Sequence, residues 1–369
     1  MKAKALVGWL SRLGLISGGA FLLHYLFPPS MWGWRIHDLV YKRLPPAEPD
    51  TQIVIVDIAR LDRADLARLL LRLAEYQPRF IGIDAVFSFL GSPEIDRAWE
   101  TALCSVAVRI PVCLVSSLED TPQVEKAAPR AVSAAPFLRC VETAYANLIL
   151  QEAYAPRIVR EFLPYTVAGR DTHYSLGLRL ALALDPGLYR ELSAWRGIQP
   201  IRFRGNLDHF YSISGEEVLR DSLALPWIKG KAVLMGFSDP IRLSMEDIFF
   251  TPLGLTFLQP SFPDMYGVVI HANIASMLVH RWQYLQLSVG WSEALLVLAY
   301  GLISLLSRYL DRVRLRWVGV RVLQGLLIWG GIELTLLLAI KGWWLTIEPY
   351  LWGVLLAGEV EIGWGGRLA

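Results

Sequence analysis

Four long apolar runs constrain this chain more than any other feature of it. One stands at the start and three at the end. The first is Leu13 to Phe27, which extends back to Ala5 if Arg12 carries its charge to the surface along its own stem. The others are Leu285 to Leu306, Trp317 to Ile340 and Trp343 to Trp364. A helix needs about 20 apolar residues to cross a hydrocarbon core, so the expectation is four transmembrane α-helices around a water-soluble domain. Composition agrees: 54% of residues are hydrophobic and the mean hydropathy is +0.39, an excess that a soluble core alone does not absorb. Pro28-Pro29 ends the first run, and it continues past the small-residue pair Gly18-x-Ala20, so it reads as an anchor rather than a cleaved leader.

Short-loop charge sets the orientation. Lys2, Lys4 and Arg12 mark the N-terminus as cytoplasmic, and so do Arg308, Arg312, Arg314 and Arg316 against the single Asp311 in the loop 307–316. Both signals agree for four crossings. The expected organisation is residues 1–28 as an anchor, 29–282 outside the cytoplasm, and 283–369 as three membrane helices with the cytoplasmic loop at 307–316. Arg321 then falls about 6 Å from the inner end of its helix at 1.5 Å per residue. Glu359 and Glu361 fall at a similar depth, so Arg321 with one of them is the expected intramembrane ion pair. Glu293 and Glu333 fall in the outer half.

Between the anchors the pattern changes. Ile53 to Ile58 is a β-branched run, a buried strand. Leu61 to Tyr76 follows with Leu66, Leu69, Leu70 and Leu73 at helical spacing. Arg79 to Phe87 reads as a strand, Ile95 to Val108 as a helix and Pro111 to Ser116 as a strand. Further strands are expected at Ala144 to Leu150, Ile158 to Tyr165 (with a turn at Pro156-Arg157), Pro200 to Gly205 and Lys231 to Phe237, and helices at Tyr174 to Leu184 and Val268 to His280. Alternating elements predict an α/β fold, a mixed but largely parallel sheet flanked by helices. Val268 to His280 stands so near the second apolar run that a nearly continuous helix into the membrane is expected.

Chemistry is sparse. Asp57 and Asp84 end two strands expected to be adjacent, at the edge where open α/β sheets bind ligands. Asp247 follows later, and His271 and Asn273 open the helix toward the membrane. No nucleophile motif, phosphate loop or metal-ligand spacing accompanies them, so no catalytic residue, metal or cofactor is expected, and the chain does not read as an enzyme. Capping of the following loops by Asp57 and Asp84 is the simpler alternative to ligand binding. A formal net charge of +2 gives no argument for nucleic acid. Cys104, Cys113 and Cys140 read as three buried apolar residues rather than as a disulfide plus a free thiol.

The order of these segments resembles the second type of CHASE domain, an extracytoplasmic sensing module. Pro78 to Phe87 is similar to its P-x-x-I-G-I-D-x-x-F segment. Phe203-Arg204-Gly205, Ile213-Ser214, Lys229 to Gly236, Asp247 with Thr251-Pro252, and Gly267 to Asn273 follow in the family's order. Three membrane helices follow that domain too. The resemblance singles out Asp57, Asp84, Asp247, His271 and Asn273 as candidate ligand-binding positions. It implies a sensor in the inner membrane of a bacterium, and homodimerisation. Its output domain normally follows the third helix. With the sequence ending at Ala369, the expected output is a separate cytoplasmic effector or a membrane-complex subunit in trans. A structural subunit of an envelope complex is the alternative.

Overall fold

The computed structural model describes residues 2–27, 35–118, 129–149, 158–168, 170–220, 224–238, 247–256, 259–260, 262–311 and 315–365. The turn expected at Pro156-Arg157, residue Glu246 and the arginines Arg312 and Arg314 lie outside these residues.

Helix α1 spans Lys2–Leu26. The domain then runs through β1 (Asp50–Asp57), α2 (Arg63–Glu75), β2 (Phe80–Ile83), α3 (Pro93–Ala107), β3 (Val112–Leu118), β4 (Glu142–Tyr145), α4 (Leu176–Leu184), β5 (Phe210–Ser214), β6 (Ala232–Gly236) and α5 (Gly267–Val279). Helices α6 (Gly290–Asp311), α7 (Arg316–Ile340) and α8 (Glu348–Gly365) close the described chain. Six strands form one parallel sheet in the order β5-β1-β6-β2-β3-β4. A short strand, Pro129–Ala131, runs antiparallel to the end of β3.

Both faces of the sheet are covered, which explains why its strands read as unbroken apolar runs. Val54, Val56, Ile81, Ile83, Val233 and Met235 pack on α2 and α3. Ile53, Ile55, Phe80 and Leu234 pack on α4 and α5. Helix α2 begins where the Asp62 carboxylate accepts the N–H of Asp65 at 2.8 Å, and it buries Leu66, Leu69, Leu70 and Leu73. Helix α5 is buried along its whole face set, from Gly267 to Leu278. A helix apolar all round belongs in a core, and α5 lies between the sheet and α4.

Several expectations change. β1 and β2 are not neighbours, because β6 pairs with both of them. Local periodicity cannot report strand order, and the late run Ala232–Gly236 takes one of the two central places in the sheet. β2 stops at Ile83, so Asp84 is the first residue beyond it. Residues 200–205 are not a strand of the main sheet, and only Gln199–Pro200 pairs, with Glu161–Phe162. Helix α5 does not continue into the membrane helix. It ends at Val279, Arg281 turns the chain with φ 51°, and α6 starts at Gly290. Cys104 and Cys140 form a disulfide with Cα atoms 5.0 Å apart, while Cys113 is free and buried. The reading of three buried thiols therefore holds only for Cys113.

Among the described residues three helices are long and apolar enough to cross a membrane: Leu6–Leu26, Gly290–Leu310 and Arg316–Ile340. Helix α8 occupies the place of the fourth expected crossing, but it carries Glu348, Glu359 and Glu361. It packs with α1, α6 and α7 around Ile16, Leu296, Tyr300, Ile303, Val320, Leu336, Val354 and Ala357. Outward sit Leu15, Leu22, Leu298, Leu305, Val322 and Leu326, an apolar exterior suited to lipid.

The junction between domain and helices is polar and specific. The 3-10 helix Ile36–Lys42 packs on α7. Asp38 and Arg160, each 4% exposed, form a buried ion pair at 2.7 Å. Arg43 meets Glu333 of α7 at 2.5 Å and Arg35 meets Glu161 at 2.6 Å. Arg202 donates to the carbonyl of Ile340 at 2.9 Å, with its guanidinium over the rings of Trp282 and Tyr284. Leu285–Gln286 pairs in parallel with Trp343–Trp344.

The disulfide spans 36 residues of sequence. Loop-closure entropy for such a span is about 3–4 kcal/mol. Replacing both Cys104 and Cys140 by Ala is expected to destabilise the domain by an amount of that order. Urea unfolding of the full chain in detergent, followed by tryptophan fluorescence, measures it.

Candidate functional site

Asp84 leaves the sheet at the carboxyl end of β2, its N–H donating to the carbonyl of Met235 at 2.7 Å. The neighbouring strand ends in Gly236, where a Cβ would fall 2.6 Å from Val268 and 3.2 Å from Asp84. The missing side chain lets α5 and Asp84 crowd the same edge. Asp247 adopts φ 54°, a conformation that Asp tolerates better than most residues. Its carbonyl accepts the N–H of Gly267 at 3.0 Å. A Cβ on Gly267 would lie 2.9 Å from both carboxylate oxygens of Asp247, so any side chain there would push that carboxylate aside. His271 stands four residues on, one helical turn further along the same face of α5.

These residues line one cavity of about 360 Å³ beyond the carboxyl ends of β2, β3 and β4. Its polar groups are Asp84, Ser116, Ser117, Asn147, Asp247 and His271, and Val86, Val115, Leu148 and Phe249 make its apolar wall. This is the edge at which open α/β sheets bind ligands. Burial pushes the Asp84 carboxyl up to about 7. Asp247 is also pushed up to about 7, first by burial and then by the charge of Asp84. Asp247 is the more exposed of the two. Burial lowers His271 to about 4, opposed by a hydrogen bond to the main chain of Ala146. At neutral pH the histidine is uncharged and the two carboxyls stand near the middle of their titration.

The structure thus brings Asp84, Asp247 and His271 together and places Asp57 and Asn273 elsewhere. The Asp57 carboxylate accepts the N–H groups of Ala59 at 3.2 Å and Ser238 at 2.9 Å, which ties the loop after β1 to the loop after β6. Asn273 accepts from the N–H of Arg204 at 2.7 Å and donates to the carbonyls of Gly205 and Val269, each at 2.9 Å. Both amide ends of Asn273 serve the main chain. Sequence reasoning did not single out Ser116, Ser117, Asn147 or Phe249. Ser116 and Ser117 lie in the last residues of β3 and Asn147 stands two residues past β4, so strand ends were the available signal. Among the described residues no group of three His, Cys, Asp or Glu side chains could hold a metal ion.

Within the helices, Arg321 meets Glu359 through two contacts, at 2.5 Å and 3.0 Å. Glu361 instead lies 3.6 Å from Arg12 and accepts from the Tyr300 hydroxyl at 3.1 Å.

With the fold and cavity described, the family can be placed. The CHASE2 domain model matches residues 14–306. The chain therefore belongs to the CHASE2 domain family, a family of extracellular sensory domains. No curated protein and no solved structure matches it.

Two predictions follow from these geometries. Between pH about 4 and about 7 the folded chain keeps a proton on Asp84 that the unfolded chain releases, so this group's stability contribution falls as pH rises through that window. His271 has the opposite sign, adding stability as pH rises from about 4 to about 6.5. Asp84→Asn removes the first term together with the part of the Asp247 shift that the Asp84 charge causes, a change of the same sign, and leaves His271 in place. The melting temperature of the variant minus that of the native chain should climb between pH about 4 and about 7 and then level off. A difference that stays flat means an ordinary carboxyl. Between α7 and α8, Arg321→Glu should cut the yield of monodisperse protein in detergent at least fivefold, because two carboxylates then face each other. Adding Glu359→Arg should restore it, and adding Glu361→Arg should not.

Proposed function

We propose that this chain is a membrane-anchored sensor. Its domain stands outside the cytoplasm of a bacterial inner membrane, and its helices pass a stimulus to a cytoplasmic effector. The observation that carries the reading is the course of α5. Gly267 and His271 of this helix line the cavity. Its middle is clamped by Asn273, and Ser276 donates to buried Asp50 at 2.6 Å. Just beyond its end, Arg281 meets Asp185 at 2.9 Å and Glu191 at 3.1 Å. The chain then pairs through Leu285–Gln286 with Trp343–Trp344 before entering α6.

The arginine-rich stretch 307–316, expected as a loop, is helical through Asp311 and again from Arg316, and its charge supports a cytoplasmic position for the connection between α6 and α7. The Cys104–Cys140 disulfide fits an oxidising compartment for the domain. Glu359 and Glu361 have Arg321 and Arg12 as partners, which supports α8 as a fourth crossing despite its acids. Four crossings put the loop and the N-terminus on the same side. Sensing further requires that the ligand bind two arrangements of α5 and the junction with different affinity.

The test is a thermal-shift screen of small polar metabolites on the full chain in detergent, with Gly267→Leu as the filled-cavity control. A compound that stabilises the native chain but not the variant is then examined by hydrogen exchange. Altered exchange at 280–289 and 343–346 is the expected result. A compound that occupies the cavity and leaves those segments and α6 unchanged removes the sensor reading.

A further inference from the structure

We infer that the edge formed by the amino ends of the strands is a docking surface that seats the domain on the anionic phospholipid headgroups of the bilayer holding its own helices. The first observation is where that edge lies. Asp50 opens β1, and its buried carboxylate meets Ser276 at 2.6 Å and His280 at 3.1 Å. His280 closes α5, and Trp282 follows it. Arg204 joins Ser276 and lies over the Trp282 ring. Arg202 lies over the same ring and reaches the carbonyl of Ile340 at the end of α7. The start of β1 therefore stands a few side chains from the end of a membrane helix. Register carries the neighbouring strands to the same level. Asp50 pairs with Phe210, Ile53 with Ala232, and Ala232 with Phe80. The residues just before β5, β6 and β2 thus share this edge, side by side at about 4.8 Å per strand.

The second observation is independent and concerns the chemistry of those residues. The turn before β6 carries Trp227, Lys229 and Lys231. The turn before β2 carries Arg79, whose N–H donates to the carbonyl of Lys231 at 2.7 Å. Arg109 stands in the turn before β3. Trp227 is 37% and Tyr211 45% exposed, with ring centroids 5.3 Å apart. The Lys231 ammonium lies over the Tyr211 ring at 4.1 Å. Val108, beside Arg109, is 85% exposed. Arg79, Arg109 and Lys229 are exposed, and among the described residues no acid pairs with them. Exposed Lys341 adds a cation of the same kind just past Ile340. Most acids nearby are engaged: Glu75 by Arg72, Glu100 by Arg139 and Asp208 by His209. Glu48 is the exposed acid left over.

This combination suits a lipid surface. Trp and Tyr settle at the headgroup level. Lys and Arg extend their charge toward phosphate while their stems stay on apolar ground. Anionic lipid draws such cations within a Debye length, about 8 Å at physiological salt. The opposite edge has the other sign. Asp62, Asp65, Glu94, Asp96, Glu216 and Glu217 stand at or within the first helical turns there, and of these Asp65 and Asp96 have arginine partners. The domain thus turns its positive end to the membrane and its negative end away. The surface is separate from the cavity and does not rest on the sensory reading.

Hydrogen exchange of the full chain in nanodiscs tests this, comparing phosphatidylcholine alone with phosphatidylcholine containing about 30% phosphatidylglycerol. In the anionic discs, exchange at 77–80 and 227–232 should be at least fivefold slower than in the neutral ones. Salt at about 0.5 M should erase the difference. Residues 85–92, at the opposite edge, should exchange alike in both discs. Arg79→Glu combined with Lys229→Glu should abolish the slowing. Should that pair misfold, Arg79→Gln with Lys229→Gln should reduce it at least twofold, and the salt series on the native chain needs no variant. Equal exchange in the two discs overturns the inference. So does slowing that survives both salt and charge removal. Slowing that follows protein concentration rather than lipid charge makes the edge a protein interface and overturns it as well.

Discussion

The guanidinium of Arg202 holds the soluble domain to the membrane helices. It donates to the carbonyl of Ile340, the last residue of α7. Helix C-termini carry unpaired carbonyls and a partial negative charge, so a cation there satisfies both needs at once. Trp282 and Tyr284 stack against the same group, and Gly342 turns away beneath it with φ 88°. The segment carrying Arg202 is fixed in turn from the domain side. Tyr41 donates to the carbonyl of Ile201 at 2.9 Å, and Arg204 reaches Ser276 at 2.8 Å and so the buried Asp50. Helix α5, the sheet and α7 thus share one polar connection, and the cavity lies at its far end.

Charge also governs the helices. An acid in hydrocarbon is tolerated when a partner or water is at hand. Glu359 has Arg321, Glu361 has Arg12 and Tyr300, and Glu333 reaches outward to Arg43 of the domain. The first two pairs tie α8 to α7 and α1. The third ties a membrane helix to the lead-in segment. Each lies where a slip of one helix past its neighbour would separate the partners, so the charges that weaken α8 as an apolar span also fix its register.

Much of the fold was legible because it is local. The elements from β1 to β3 announce themselves by apolar runs and by Leu66, Leu69, Leu70 and Leu73, and the structure shifts their ends by a few residues. Edge strand β5 was missed because only Phe210 of Phe210–Ser214 is buried, so the run shows neither an apolar stretch nor an apolar alternation. The insertion of β6 between β1 and β2, the pairing of Cys104 with Cys140, and the meeting of Asp38 with Arg160 are long-range facts that spacing does not encode. At the cavity, Asp84, Asp247 and His271 stood out as polar residues in apolar or motif surroundings. Asp57 and Asn273 looked alike in the sequence but spend their hydrogen bonds on neighbouring main chain. What separates the two groups is where their side chains lie, at the cavity or against main chain, and only coordinates reveal that.

The short parallel pairing of Leu285–Gln286 with Trp343–Trp344 joins the residues leading into α6 with those leading into α8. These two helices start at the same end of the bundle and run in the same direction, opposite to α1 and α7. A push delivered at residue 285 therefore reaches two co-directional helices together and leaves the other two behind. The bundle would receive it as a shear between the two pairs of helices.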